Sequence, residues 1–368
     1  MGLKKRRVCF AIYDYNSYGG VETVGVNLAN AFSSEYIVYY LGITGDLKIE
    51  PSGLHESVKK VCLLPKDHQN ERLRKQARDT FRPLRQFLKR EKMDLLVILS
   101  HYPAFLAASV RPFVKTKFIF CDHGALINQW NDRKTRTMRL IASKVCDRTV
   151  VLTKKTRDDY IERFHIKPEK IDCIYNWIEA SNVDSKQYDI FSRKFISVGR
   201  LSKEKGFDQL IKAFHHVIKK HPDWSLDIYG DGDEEAYLRS QITELELENS
   251  IALKGKCDTM RSCYKDYAAY VMPSYREGLP ITLLEAKINK LPIVSFDVNT
   301  GPREIVRNGI DGILVEPTNI EALANAMCRL IENEEERAFF SNNAKGNLGQ
   351  FEKQNILPLW KKLFGEIV

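Results

Sequence analysis

Several things are missing from this chain of 368 residues. No apolar run approaches the roughly 18–20 residues that span a bilayer. The eight cysteines are scattered, with no C-x-x-C pair and no His/Cys group at metal-ligand spacing, which argues against a disulfide scaffold and a zinc module. Reduced thiols in a cytoplasm are the simplest reading. The basic start KKRRVCFAIYDY has too short an apolar stretch for a signal peptide and reads as a first buried strand. G-x-x-x-x-G-K-[ST] is absent, and so is G-x-G-x-x-G, so neither a P-loop nor a nicotinamide or flavin dehydrogenase is indicated.

What is present is ordinary globular composition, 43% hydrophobic and 29% charged. The length suggests two domains. The charge is unevenly placed. Residues 1–180 hold 32 Lys+Arg against 20 Asp+Glu, or +12, whereas residues 181–368 hold 25 against 28, or −3, giving the net +9. The front half is therefore the part that would meet an anionic partner.

Short apolar runs alternate with helical patterns. Strands are expected at 7–14, 35–43, 58–64, 94–100, 117–123 and 147–153, with helices such as 21–34 and 71–92 between them. Around 176–194 the pattern becomes polar and aperiodic, as a linker would. It then restarts with strands at 194–200, 224–230, 250–256, 268–274, 291–297 and 312–317. Two such α/β halves predict two doubly wound parallel sheets facing each other across a cleft, with ligands outside the carboxyl ends of the strands.

Four segments sit at such strand exits. In REGLPITLLEA (276–286) a strand exit meets a helix, with Pro280 expected as its first residue. The free amides of Ile281, Thr282 and Leu283 suit a phosphate. Glu277 and Glu285 stand eight residues apart, too far to share a proton, and fit hydroxyl acceptors better than an acid/base pair. A charge favourable to the helix dipole plus a solvated glutamate is the competing reading. In FISVGRLSKEKGF, Arg200 and Lys205 follow a buried strand, either as diphosphate ligands or as solvated loop cations. Gly19 and Gly20 close a strand-to-helix turn, and His123 in CDHGAL stands at another strand exit. Each of these two has an equally simple structural explanation.

Taken together, GGVE, VGRLSKEKG, EGLPITLLEA and GPREIVRNGIDGILVEP resemble the retaining glycosyltransferases of family 4 over nearly the whole chain, most strongly from 195 to 317. The resemblance implies a GT-B fold of two Rossmann-like domains. It places an acceptor-binding domain at 1–182, a nucleotide-sugar-binding domain at 183–350 and a returning helix at 351–368. It further implies that Arg200 and Lys205 neutralise the donor diphosphate together with amides after Pro280. Glu285 would take the ribose hydroxyls, and Glu277 with the backbone of Gly278, Leu279 and Pro280 would take the donor sugar. The backbone at Lys256 and Cys257 would meet the base. Gly19 and Gly20 would approach the diphosphate and acceptor, and His123 the anomeric carbon. The catalytic set is thus His123, Glu277, Arg200 and Lys205, with no metal or other cofactor.

The expected donor is a UDP-linked hexose or N-acetylhexosamine, and the acceptor a lipid-linked or lipopolysaccharide glycan. A nucleotide-sugar 2-epimerase of the same fold is the alternative. Basic segments 71–92 (nine Lys+Arg, three acids) and 127–144 (five against one) suit an anionic membrane surface, which implies a cytoplasmic enzyme at the inner face of the plasma membrane. No nucleic-acid motif is present. Two departures from the family pattern stand out: Trp177 in IYNWIE, where a glycine is usual, and Asn299-Thr300-Gly301-Pro302 in place of a glycine-rich loop.

Overall fold

Every expected strand forms, within one to three residues at each end. In the computed structural model, which describes residues 5–17, 19–178, 188–257 and 264–368, the chain divides into two units. One comprises Met1–Asn176 with Leu357–Val368, the other Trp177–Ile356. The expected boundary at 182/183 lies outside the described residues.

The first unit holds β1 (Arg7–Asp14), β2 (Ile37–Thr44), β3 (Lys59–Leu64), β4 (Leu95–Leu99), β5 (Lys117–Asp122), β6 (Arg148–Val151) and β7 (Ile171–Cys173). All pairings are parallel, in the order β3-β2-β1-β4-β5-β6-β7. The three-residue edge strand β7 was not expected, because three residues carry no readable periodicity. Crossovers run through α1 (Gly20–Phe32), α2 (Leu73–Arg90), α3 (His101–Ala108), α4 (Arg133–Val145) and α5 (Lys154–Phe164). β4 reads LLVIL and is wholly buried, as a central strand covered on both faces must be.

The second unit holds β8 (Lys194–Val198), β9 (Ser225–Tyr229), β10 (Ile251–Gly255), β11 (Ala269–Met272), β12 (Ile293–Phe296) and β13 (Gly312–Val315), also all parallel, in the order β10-β9-β8-β11-β12-β13. Its helices are α6 (Phe207–Lys220), α7 (Glu235–Glu244), α8 (Ile281–Ile288), α9 (Pro302–Ile305), α10 (Ile320–Glu332) and α11 (Glu334–Asn343). α12 (Lys353–Ile367) ends the chain. Its Phe364 ring packs on Phe32 of α1, centroids 4.9 Å apart, and Arg148 reaches Glu366 at 3.1 Å.

In each sheet the strand order reverses once, between β1 and β4 and between β8 and β11. Crossover helices leave in opposite directions at such a point, so the exits of its two strands are left open to a ligand. The expected linker 176–194 is anchored at its described ends. Ile178 N–H donates to Phe351 O (2.9 Å), Tyr188 to Ala268 O (2.6 Å) and Ser192 to Asp266 O (2.7 Å). Trp177 is a buried side chain in that anchor, which shows what a bulky residue does where a glycine is usual.

Candidate active site

At the switch point of the second sheet, the exits of β8 and β11 bring together residues about 70 positions apart. Lys205 Nζ lies 2.7 Å from Glu277 Oε1, which also accepts from the Ser274 hydroxyl at 2.7 Å. Glu277 is buried while Lys205 keeps an exposed flank. The two loops are also tied by backbone: Tyr275 N–H donates to Glu204 O at 2.9 Å. Gly206, at φ +65°, makes the approach possible, since a Cβ there would lie 2.1 Å from Pro273 O. Arg200 is exposed, and no ion pair holds it among the described residues. Its guanidinium is thus available to an anion at the same exit.

The segment after Glu277 departs in detail from expectation. Pro280 is the extended residue before α8, at φ −73° and ψ 101°, not its first helical residue. Its ring still costs nothing, since no amide is missed there. The α8 amides of Ile281, Thr282 and Leu283 begin the helix. Only Leu283 N–H returns to Pro280 O, at 3.1 Å, and no side chain caps the end. The buried Tyr270 hydroxyl beneath it donates to Val198 O at 3.1 Å, and burial pushes that phenol up. Glu285, more than a turn in, accepts from the buried Tyr264 hydroxyl at 2.9 Å. Behind the loop, the Thr300 hydroxyl donates to Glu277 O at 2.5 Å. Gly301 (φ +98°) lets the chain pass so close that a Cβ would sit 2.6 Å from Gly278 O. The unusual Asn-Thr-Gly-Pro segment is therefore the back wall of the Glu277–Pro280 loop. Lys256 and Cys257 follow β10, and residues 258–263 after them lie outside the described residues.

In the first unit, Gly19 is extended and Gly20 opens α1. Glu22 folds back to accept from Ser17 Oγ at 2.7 Å, and a Cβ on Gly19 would lie 2.8 Å from Glu22 Oε2. Gly20 faces open space, so this is the backbone position a ligand can approach. His123 follows β5. It is partly covered, yet its Nε2 is enclosed and has no hydrogen-bond partner among the described residues. Burial lowers its pKa from 6.5 to about 4 against the opposing pull of Asp122. The imidazole is therefore neutral at physiological pH.

Residues 183–347 match the family model for glycosyl transferases group 1, and residues 18–182 match that for glycosyltransferase family 4. The chain belongs to the family 4 glycosyltransferases. An uncharacterised glycosyltransferase of Haemophilus influenzae is 28% identical over 97% of this chain and 99% of its own length. The amylovoran biosynthesis glycosyltransferase AmsD of Erwinia amylovora is 29% identical over 68% of this chain and 70% of its own. In fold, the chain is similar to the Anabaena protein HepE, crystallised with UDP-glucose, at TM-score 0.83 and 18% identity over 98% and 99% of the two chains.

In this family 4 enzyme, sequence reading missed the groups that hold the site residues. Asp122, beside His123, is buried. Its carboxylate is held by Arg139 Nε (2.8 Å), the Tyr160 hydroxyl (2.7 Å) and Gly124 N–H (3.1 Å). Lys287, on α8, is fully buried. It donates to Asp311 Oδ2 (2.9 Å), Ile305 O (2.7 Å) and Asn347 Oδ1 (2.5 Å), while Arg307 Nε donates to the same Asp311 oxygen at 2.6 Å. One signal was readable: a lysine in the otherwise apolar face of LLEAKI. His221, Cys328 and Glu332 meet at the ends of α6 and α10, with His221 Nε2 3.0 Å from Glu332. His221 is distant in sequence from the other two, and none of the three is among the residues of the β8/β11 exits.

The state of His123 can be measured. Its folded pKa is depressed, so the unfolded chain takes up the proton first. Stability is lost as pH falls from 6.5 toward about 4, and none of that loss is present above 6.5. The expected NMR result is an His123 resonance that does not shift from about pH 7 to about pH 5. A midpoint near the ordinary value would refute the enclosed, neutral imidazole.

Proposed function

We propose that this enzyme transfers a hexose or N-acetylhexosamine, with retention of configuration, from a UDP-sugar to a lipid-linked or lipopolysaccharide glycan at the cytoplasmic face of the membrane. The observation that carries the reading is the convergence of Arg200, the Lys205–Glu277–Ser274 group and the uncapped start of α8 at one switch point. Two cations and a helix N-terminus are suited to a diphosphate. Two carboxylates with fixed partners, Glu277 buried and Glu285 half-buried, are suited to sugar and ribose hydroxyls. AmsD, named for polysaccharide biosynthesis, supports a glycan acceptor, and UDP-glucose bound to HepE supports the donor class.

In the proposed reaction the bond from the anomeric carbon to the diphosphate breaks, and the acceptor oxygen bonds to the same carbon from the same face. The acceptor proton passes to the leaving phosphate oxygen, so no protein nucleophile and no metal takes part. Arg200, Lys205 and the α8 amides stabilise the charge growing on the diphosphate, which is usually the largest catalytic contribution.

The test is a thermal-shift series with a panel of nucleotide sugars, nucleoside diphosphates and nucleosides. UDP-sugars and UDP should raise the melting temperature of the wild type, uridine much less. In the Arg200→Ala, Lys205→Ala double variant the diphosphate response should fall far more than the nucleoside response. Equal losses would remove the diphosphate assignment. Conversion of the nucleotide sugar without any acceptor would replace transfer by epimerisation.

A further inference from the structure

The first unit carries a cavity of about 900 Å³ at the amino ends of β4 and β5. His123 and the Gly19-Gly20 turn stand at the opposite, carboxyl ends of β5 and β1. A six-residue strand such as β5 separates those ends by roughly 20 Å. The cavity floor is apolar, built from Leu88, Met93, Val114 and Ile367, and its edge is basic, with Lys89, Lys92 and Lys115. Phe113, 52% exposed, lines it as well, so an aromatic ring faces solvent at the mouth of an apolar cleft. That ring is held in place: Phe81 meets it edge-on at 5.4 Å, and the Arg85 guanidinium lies over it at 5.7 Å.

The acids near this surface are already engaged. Asp147 holds Arg111 at 2.7 Å and Lys117 at 3.5 Å, Asp94 accepts from Arg7 N–H at 2.8 Å, and Glu91 accepts from the Tyr39 hydroxyl at 2.7 Å. No ion pair holds Arg82, Arg85, Lys89, Lys92 or Lys115 among the described residues. The uncompensated charge is therefore concentrated around an exposed aromatic and an apolar cleft. A nucleic acid would use the cations but has no use for the aliphatic floor. An anionic lipid uses both, with headgroup phosphate on the lysines and hydrocarbon against Phe113 and the cleft.

We infer that this face of the first unit, Phe113 with Lys89, Lys92 and Lys115 around the cavity, docks on the anionic lipid of a bilayer. The inference deepens the membrane part of the proposed function, and it can fail while sugar transfer stands. It is tested with the full chain by co-sedimentation with vesicles of pure phosphatidylcholine and of phosphatidylcholine with phosphatidylglycerol. Binding should require phosphatidylglycerol and weaken with salt. One cation at such a surface multiplies affinity about five-fold, so the Lys89→Glu, Lys92→Glu, Lys115→Glu variant should lose at least about a hundred-fold. Phe113→Ser should weaken binding without changing the melting temperature. Both variants should keep wild-type transfer to a soluble acceptor. Equal binding to both vesicle types, or an unaffected triple variant, would overturn the inference. So would salt-sensitive capture of a single-stranded oligonucleotide without vesicle binding.

Discussion

Glu277→Ala should lower kcat/KM for the nucleotide sugar by about 10²–10³-fold while leaving the fold intact. The separation of the two effects follows from burial. Glu277 is enclosed, but its partner Lys205 retains an exposed flank that water can solvate once the carboxylate is gone. With one partner able to reach water, breaking this pair costs the fold less than breaking a fully buried one. For catalysis the loss is larger, because Glu277 occupies a fixed position: Ser274 and Lys205 hold its Oε1, and Thr300 holds its backbone carbonyl. The Lys205→Ala variant and the double variant complete a cycle. If Glu277 only balanced the charge of Lys205, the double variant would be no worse than Lys205→Ala alone. The hydroxyl-acceptor role requires the double variant to be clearly worse. Wild-type turnover in Glu277→Ala would sink the assignment outright.

The parts of this design legible in sequence are those written locally. Strand runs such as FISVG and AYVM show their burial in consecutive residues, and E-x7-E with Arg200 and Lys205 shows its chemistry in a few positions. The alternation of these runs was enough for two parallel sheets. Long-range polar contacts were not legible. Asp122 finds Arg139 and Tyr160, 17 and 38 positions on, only because β5, α4 and α5 are neighbours in the folded unit. Tyr264 looks like an ordinary core aromatic until its hydroxyl is seen on Glu285. Thr300 and Gly301 read as a departure from a family pattern, and only the fold shows them packed behind Glu277 and Gly278. In each case a residue readable as functional is oriented by one that is readable only as buried.

The pair Lys287–Asp311 carries that lesson to its largest expected effect on stability. Both side chains are fully buried, and burial, helped by the nearby Arg307 charge, pushes the lysine pKa down against the attraction of Asp311. The two truncations are not equivalent. Lys287→Met removes the cation, but Asp311 still accepts from Arg307 Nε at 2.6 Å and Arg307 N–H at 2.9 Å. Ile305 O also keeps Asn347 Nδ2 at 2.9 Å. Asp311→Ala instead leaves an ammonium in the interior with only two neutral acceptors, and Arg307 loses its carboxylate, keeping only Asn343 O at 2.6 Å. Breaking a buried pair in that sense costs about 3–5 kcal/mol, a large part of a domain's stability. Denaturant unfolding should therefore show Asp311→Ala as much the less stable variant, with Lys287→Met closer to wild type. Kinetics should then separate support from mere stability. Lys287 Nζ ends on Ile305 O, the last residue of α9, and α9 begins at the Gly301-Pro302 turn packed against Gly278 and Pro280. Lys287→Met should raise KM for the nucleotide sugar more than it lowers kcat, because it loosens the wall behind the donor loop without removing a group that touches the donor. Equal stability of the two variants would deny that Lys287 is charged in the interior. An unchanged KM in Lys287→Met would deny that the network reaches the site.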